Sequence, residues 1–309
     1  MAKIATAESY KVIRRGGITS DRWLGTFMLA PAILYIVLLV AGPLLFAIYL
    51  SVSNATTGEY TLEYVGLANF VRALQSSIFR TALANTFIFT IVSQIIVIIF
   101  GNMLALALQE RFRGRSIVRF LILLPWATPV SLAAIGWKWM YDSLYSVVNW
   151  MLKAVHILGP TDFPQWLGFP SLAIPAVISV HVWRTFPFSA VVILAGLTSI
   201  PQETLDAASV DGAGFFHRLF YILLPMLLPI ITVAVLFGTV FTFTDMGAVY
   251  ILTAGGPFNS THVLSSWAFQ VGIVAGDLAQ GAAVAVFMLP VLLVAAITML
   301  RIASRETGV

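Results

Sequence analysis

Long stretches of this chain carry no charge. Residues 23–58, 81–109, 219–244 and 278–300 contain no Asp, Glu, Lys or Arg. A helix rises ~1.5 Å per residue, so about 20 apolar residues cross a hydrocarbon core ~30 Å thick. Each run therefore predicts one membrane-spanning helix, over roughly 26–52, 81–107, 226–252 and 279–301. Two further spans are interrupted. The segment 120–141 is apolar until Lys138, and 171–197 is apolar apart from Arg184. The expected fold is an all-α integral membrane protein with six transmembrane helices.

Orientation follows from the cations, which accumulate on the cytoplasmic side. Lys3, Lys11, Arg14, Arg15 and Arg22 precede the first span, and Arg111, Arg113, Arg115 and Arg119 lie between the second and third. Arg218 precedes the fifth, and Arg301 and Arg305 follow the sixth. The other side receives Arg72, Arg80, Lys138 and Lys153. Both termini are expected inside. Residues 1–22 read as a cytoplasmic tail that fixes topology, 23–303 as the six-helix domain and 304–309 as a second cytoplasmic tail. The first apolar run starts too late and is too long for a cleavable signal peptide.

The outer loops are short. In 53–80, Leu67, Phe70, Val71 and Leu74 fall at helical spacing and predict a short helix on the membrane surface. Residues 142–170 carry the breakers Gly159-Pro160, Pro164 and Gly168-Phe169-Pro170, and Gly255-Gly256-Pro257 interrupts the third outer loop.

Composition agrees with this pattern and removes whole classes of chemistry. Of 309 residues, 60% are hydrophobic and 10% charged, where soluble domains carry about 25% charged residues. The mean hydropathy is +0.95. The 22 Phe and 8 Trp exclude a disordered chain. With no Cys there is no disulfide, thiol nucleophile or cysteine-ligated metal. There is no GxxxxGK[ST] phosphate loop, HExxH helix or GxSxG elbow, so no catalytic residue is assigned. His156, His181, His217 and His262 are too dispersed for metal-ligand spacing, and no metal site is assigned. Only Arg184 and Asp245 are ionisable deep within predicted spans, too few for a proton relay. A chain of this kind that moves solute uphill needs its energy from another protein.

The most informative polar stretch is TSIPQETLDAASVDGAGFFHRLFYILLP, residues 198–225, between the fourth and fifth spans. Ser199 with Gln202 fits a capping box, with Pro201 in the first turn. Glu203 and Asp206 favour the start of a helix macrodipole. Ala207 and Ala208 give a smooth face for close approach, and Asp211-Gly212 ends the helix. A second short helix through Phe215, Phe216, Leu219 and Phe220 then leads to Leu224-Pro225. The result is a compact helical knob suited to passing force between a soluble partner and span five.

The spacing Asp206-Ala207-Ala208-x3-Gly212-x9-Ile222-x-Leu224-Pro225 resembles the EAA loop of ABC importer permeases. Around it, VWRTFPFSAVVILAGLTSIPQETLDAASVDGA (182–213) is similar to the carbohydrate branch, the permeases of maltose, other oligosaccharides and glycerol-phosphate. YVGLANF (64–70), Asn85-Thr86 and YILTAGGPFNST (250–261) agree in order. Asp206 stands where the family usually has Glu, keeping the charge on a side chain one methylene shorter.

The resemblance implies half of a translocation pore in a bacterial or archaeal cytoplasmic membrane, a transport subunit and not an enzyme. It implies a second homologous permease, two ATPase subunits that bind the ATP and Mg, and an extracytoplasmic solute-binding protein that delivers a sugar. No cofactor is expected on this chain and no nucleic acid partner. Asp206, Ala207, Ala208, Asp211, Gly212, Leu224 and Pro225 become the expected ATPase-coupling residues. Asp245, Arg184 and Trp126 are the expected translocation-path residues; Trp137, Trp139 and Trp183 are further aromatic candidates. Two alternatives remain at this level: a permease for a non-sugar solute, and a self-contained channel or secondary carrier.

Overall fold

The computed structural model describes residues 18–306 apart from 60, 61 and 111. Most of the expected 1–22 tail, the end of the 304–309 tail and Arg111 therefore lie outside the described residues. Among the described residues there is no β-strand, and one isolated antiparallel bridge joins Ser53 to Tyr64. Two units are distinguishable, residues 1–49 and 50–309.

The chain is helical from Ile18, within the expected tail, and the stretch Trp23–Ser51 (α1), whose last two residues belong to the second unit, is long and apolar enough to span a membrane. A π-turn interrupts it at Val37–Ala41. The second unit holds Ala68–Gln75 (α2), Ser77–Gln109 (α3), Arg115–Ala127 (α4), Val130–Met140 (α5), Val147–Ala154 (α6), Pro170–Ser199 (α7) and Gln202–Val210 (α8). Phe215–Thr244 (α9), Gly247–Thr253 (α10), Leu264–Val274 (α11) and Leu278–Ile302 (α12) follow. The helices α3, α7, α9 and α12 also meet the length and polarity of a membrane span.

Two predicted spans are broken. The third is bent by 90° between α4 and α5. Pro129 has no N–H to continue a helix and forces the preceding Thr128 to an extended φ −71°, ψ 132°. With the bent pair counted as one, the described residues supply up to six spans. The fifth predicted span, 226–252, is divided at Asp245 into α9 and α10, because the Asp245 carboxylate caps a new helix start (below).

The centre of the second unit is the packing of α3 along α7. Gly101 permits this, since a Cβ there would lie 3.0 Å from Ser189 Oγ. Phe89, Val97, Val177, Val180 and Val249 fill the core on one side. Ala105, Leu108, Ile193, Leu197 and Leu227 fill the end nearer α8. Lipid is as apolar as leucine, so such helices associate through close packing and hydrogen bonds. Asn85 Nδ2 donates to Ser260 O (2.6 Å) and His262 O (3.0 Å), and Leu264 N donates to Thr86 Oγ1 (2.8 Å). These bonds fix α3 to the loop before α11.

The short helix expected in the first outer loop forms as α2. It buries Asn69 and Ala73 and leaves Leu67, Val71 and Leu74 exposed. Asn69 Nδ2 donates to Ser51 O and Ser53 O at 3.0 and 2.7 Å.

Candidate functional site

Helix α9 ends at Thr244 in the sequence Thr242-Phe243-Thr244-Asp245, and the Asp245 carboxylate uses its two oxygens differently. Oδ1 accepts from Gly247 N (2.9 Å) and Ala248 N (3.4 Å), capping α10. Oδ2 accepts from Arg184 Nη2 at 2.7 Å and faces His181 Nδ1 at 3.1 Å. Only 9% of the Asp245 side chain and 20% of that of Arg184 are exposed. A charge so placed requires a partner, because an unpaired buried ion costs several kcal/mol. Arg184 and His181 both come from α7, three residues apart and hence on one face of the helix.

Thr242 Oγ1 is the second junction. It accepts from Gln94 Nε2 (2.8 Å) and lies 2.7 Å from Gly238 O and 2.9 Å from His181 Nε2. A hydroxyl has one proton, so two arrangements satisfy the cluster. With that proton on Gly238 O, both imidazole nitrogens donate, one to Thr242 and one to Asp245. With it turned to His181 Nε2, the imidazole is neutral and donates through Nδ1 to Asp245. Gly238 is needed for this junction, because a Cβ there would collide with the Gln94 amide.

These groups line a cavity of about 400 Å³ whose wall includes Trp126, Phe188, Phe241, Thr244 and Met246. That volume falls within the range of small-ligand sites. Trp126 and Phe188 stack with ring centroids 4.8 Å apart and planes inclined by 14°. Gln94 Oε1, Ser189 Oγ and Arg184 Nε are buried without a hydrogen-bond partner in the chain. A flat aromatic wall with unused acceptors and donors suits a ligand with both an apolar face and hydroxyl groups. Among the described residues no three His, Asp or Glu side chains converge as a metal site.

Asp245, Arg184 and Trp126, scattered through the sequence, thus line one cavity. Trp137 instead packs against Tyr141 and Trp183, and Trp139 is exposed. Sequence reasoning missed His181, Gln94 and Thr242. The i, i+3 pairs His181/Arg184 and Thr242/Asp245 were the available signal, together with Gln94 as the lone amide in IVSQIIV.

The 198–225 segment forms a helix, α8, that ends in a Schellman motif. Gly212 N donates to Ser209 O (3.1 Å) and Ala213 N to Ala208 O (2.9 Å). Gly212 has φ +75°, which only glycine adopts without strain. Asp206 and Ala207 are exposed on α8, and Gln202 Nε2 donates to Asp206 Oδ1 at 3.0 Å. Asp211 caps the helix C-terminus and is exposed.

Three local expectations are corrected. Ser199 donates to Gly196 O and does not cap α8, because Pro201 occupies the N-cap position. Ala208 is buried against its own chain, so Ala207 alone is presented outward. The second short helix is the first turn of α9 itself. It passes through a π-turn at Leu219–Leu223 into Leu224 and Pro225 without a break. Arg218 Nη1 donates to Ser209 Oγ (3.1 Å) and ties α9 to α8.

Residues 97–307 match the family described as binding-protein-dependent transport system inner membrane component. The trehalose/maltose transport system permease protein MalF of Thermococcus litoralis is 35% identical over 263 residues, 85% of this chain and 88% of that one. The sulfoquinovosyl glycerol transport system permease protein SmoG of Agrobacterium fabrum is 34% identical over 269 residues, 87% and 86% of the two chains. A chain of a bacterial ABC transporter that imports the acidic polysaccharide alginate shares the fold. Its TM-score is 0.78 at 22% identity, over 93% of this chain and 96% of that one.

Proposed function

This chain belongs to the family of binding-protein-dependent transport system inner membrane components, and from that premise we propose that it is the permease subunit of an ATP-driven sugar importer. It forms half of the pore, spans a bacterial or archaeal cytoplasmic membrane with both termini inside, and pairs with a second permease. Two ATPase subunits carry the ATP and Mg, and an extracytoplasmic binding protein delivers the sugar. The observation that carries the sugar reading is the 35% identity to a trehalose/maltose permease across most of both chains. The Trp126–Phe188 wall and the unpartnered Gln94, Ser189 and Arg184 atoms support it chemically.

In this reading α8 seats on the ATPase. Asp206, Ala207 and Asp211 face outward, Ala208 and Gly212 fix the turn, and Leu224-Pro225 begins the rigid part of α9. Arg218 couples α8 to α9. A displacement of α8 passes along α9 to Asp245, whose bonds to Arg184 and to the start of α10 set the shape of the cavity. Nucleotide and loaded binding protein act by favouring different global states through differential contacts.

The test is purification of the tagged chain from its native membrane in mild detergent, with mass spectrometry and an ATPase assay. Recovery of a second multi-span permease with an ATPase supports the proposal. Recovery of the chain alone, still transporting in liposomes without ATP, makes it a self-contained carrier and ends the proposal. Competition by sugars against binding-protein-stimulated ATP hydrolysis separates a sugar importer from a permease of another solute.

A further inference from the structure

Helix α6 is built inside-out. Its most enclosed side chains are polar: Ser146, the N-cap, and Asn149 are both almost fully buried, beside Val148 packed on the core. Ser146 Oγ donates to Met140 O (2.9 Å) and accepts from Asn149 N (3.0 Å). Asn149 Oδ1 accepts from Trp166 Nε1 (2.7 Å), and its Nδ2 donates to Pro164 O (3.3 Å). Trp150 and Met151 stand on its outward side, and Leu144, Tyr145, Val155 and Ile157 flank it in the chain; all six are more than half exposed. A helix facing water carries these two sets the other way round.

The cation of this segment folds back over its own loop. Lys153 Nζ donates to Pro160 O (2.8 Å) and lies 3.5 Å from the centroid of the Phe163 ring. Asp142 Oδ1 accepts from Leu144 N and Tyr145 N, both at 2.8 Å, which fixes the backbone carrying those two side chains.

We propose that α6 and its flanks, residues 144–157, lie in the headgroup region of the bilayer, with the Trp150–Met151 edge reaching the acyl boundary. Three observations select lipid as the occupant. An exposed apolar row, Leu132, Ile135 and Trp139, also lies on α5, the helix that precedes α6 in the chain and is half of a bent membrane span. The gap between Met140 and Val147 is bridged by six residues, and a chain that short extends about 20 Å at most. Trp and Tyr beside aliphatic side chains are what the membrane–water interface enriches, and Tyr145 and Trp150 hold such positions here. The inference rests on the chain being membrane-spanning, and it concerns a segment whose sequence reads only as a loop rich in breakers.

The chain has no cysteine, so single thiols report without background from it. Nitroxide labels are placed at Met151→Cys, Ile157→Cys and Asp162→Cys, with Leu34→Cys on α1 and Ile95→Cys on α3 as controls. The assembled transporter is reconstituted in lipid nanodiscs, and the signal from complexes containing the wild-type chain is subtracted. Collision with oxygen, which concentrates in lipid, is compared with collision with a water-soluble nickel chelate. The expected result is an oxygen-to-nickel ratio at 151 and 157 severalfold above that at 162 and below that at 34. Nickel-dominated collision at 151 and 157 overturns the proposal in favour of water. Shielding from both reagents overturns it in favour of a protein partner. If neither Leu34→Cys nor Ile95→Cys reports hydrocarbon, the membrane-spanning premise itself fails, a different outcome from failure at α6 alone. Tyr145→Cys samples the same edge should the Met151 variant not assemble.

Discussion

The α8 turn and Asp245 lie at opposite ends of α9, whose 30 residues span roughly 45 Å at 1.5 Å per residue, and their surroundings are built in opposite ways. The loop is local. Its residues are neighbours in sequence, its turn is fixed by one glycine and two backbone bonds, and its outward side chains are nearly free of tertiary partners. The cavity is distributed. Gln94, Trp126 and Arg184 come from three helices and Asp245 from the junction of α9 and α10, and Gln94 and Arg184 each bond to a group from another element. In the proposed reading the loop is a docking surface, which tolerates local construction because the partner completes it. A cavity inside a bilayer does not, because every polar group must find its partner within the chain or its ligand.

That contrast is broken most severely at Asp245. Asp245→Asn leaves the Arg184 guanidinium without its counter-ion, and a stability loss of roughly 3–5 kcal/mol is expected with uptake abolished. Thermal unfolding of the purified complex measures the first and transport the second. The double variant Arg184→Gln/Asp245→Asn is expected to recover most of the stability and none of the uptake, since the two residues act as one pair. Equal instability of the single and double variants would show that the ion pair is not what Asp245 serves.

Gly212→Asp should have the opposite profile. A Cβ at Gly212 meets open space, so the cost is the left-handed backbone alone, about 1–2 kcal/mol. Membrane insertion is expected to persist while sugar uptake and ATPase co-purification are lost. Wild-type uptake would disconnect the 198–225 loop from coupling.

A smaller change at the cavity sharpens the comparison. Thr242→Val keeps the shape and removes the oxygen shared by Gln94, His181 and Gly238, with about 1–3 kcal/mol lost for the groups left unpaired. Sugar-stimulated ATP hydrolysis should shift to higher sugar concentration while basal hydrolysis is unchanged. Removal of the Ser209 hydroxyl by Ser209→Ala, which cuts the Arg218 bond between α8 and α9, should lower stimulation without moving that concentration.

The smallest effect lies outside both regions. The amides of Tyr145 and Leu144 hold the Asp142 carboxyl below its ordinary value of about 3.9. A lowered folded-state value contributes stability that is present above the unfolded value and lost as pH falls through the folded one. Asp142→Asn should therefore reduce the acid dependence of stability below about pH 4 and leave neutral-pH transport unchanged, as read by unfolding midpoints across pH.

How legible each region was follows from the same contrast. The α8 turn could be read because Asp211-Gly212 states its backbone requirement in the sequence. The capping box read at Ser199 does not form, because Pro201 takes the N-cap position and Ser199 donates to Gly196 O. Asp245 and Arg184 announced themselves as ions in apolar runs. His181, Thr242 and Gln94 did not, since a neutral polar side chain in a helix reads the same whether it faces a cavity or its own backbone.

The sequence by itself determined the spans and the position of the turn at Gly212. Charge-free runs of this length have no stable place in water, and a left-handed turn has one cheap residue. Only the tertiary structure decided that Pro129 and Asp245 would break two of those runs and that three distant side chains would share a cavity. It also decided that α6 would turn its polar side inward. Each of these depends on which partner a group finds across a helix interface, and the free energy of that pairing belongs to neither segment alone.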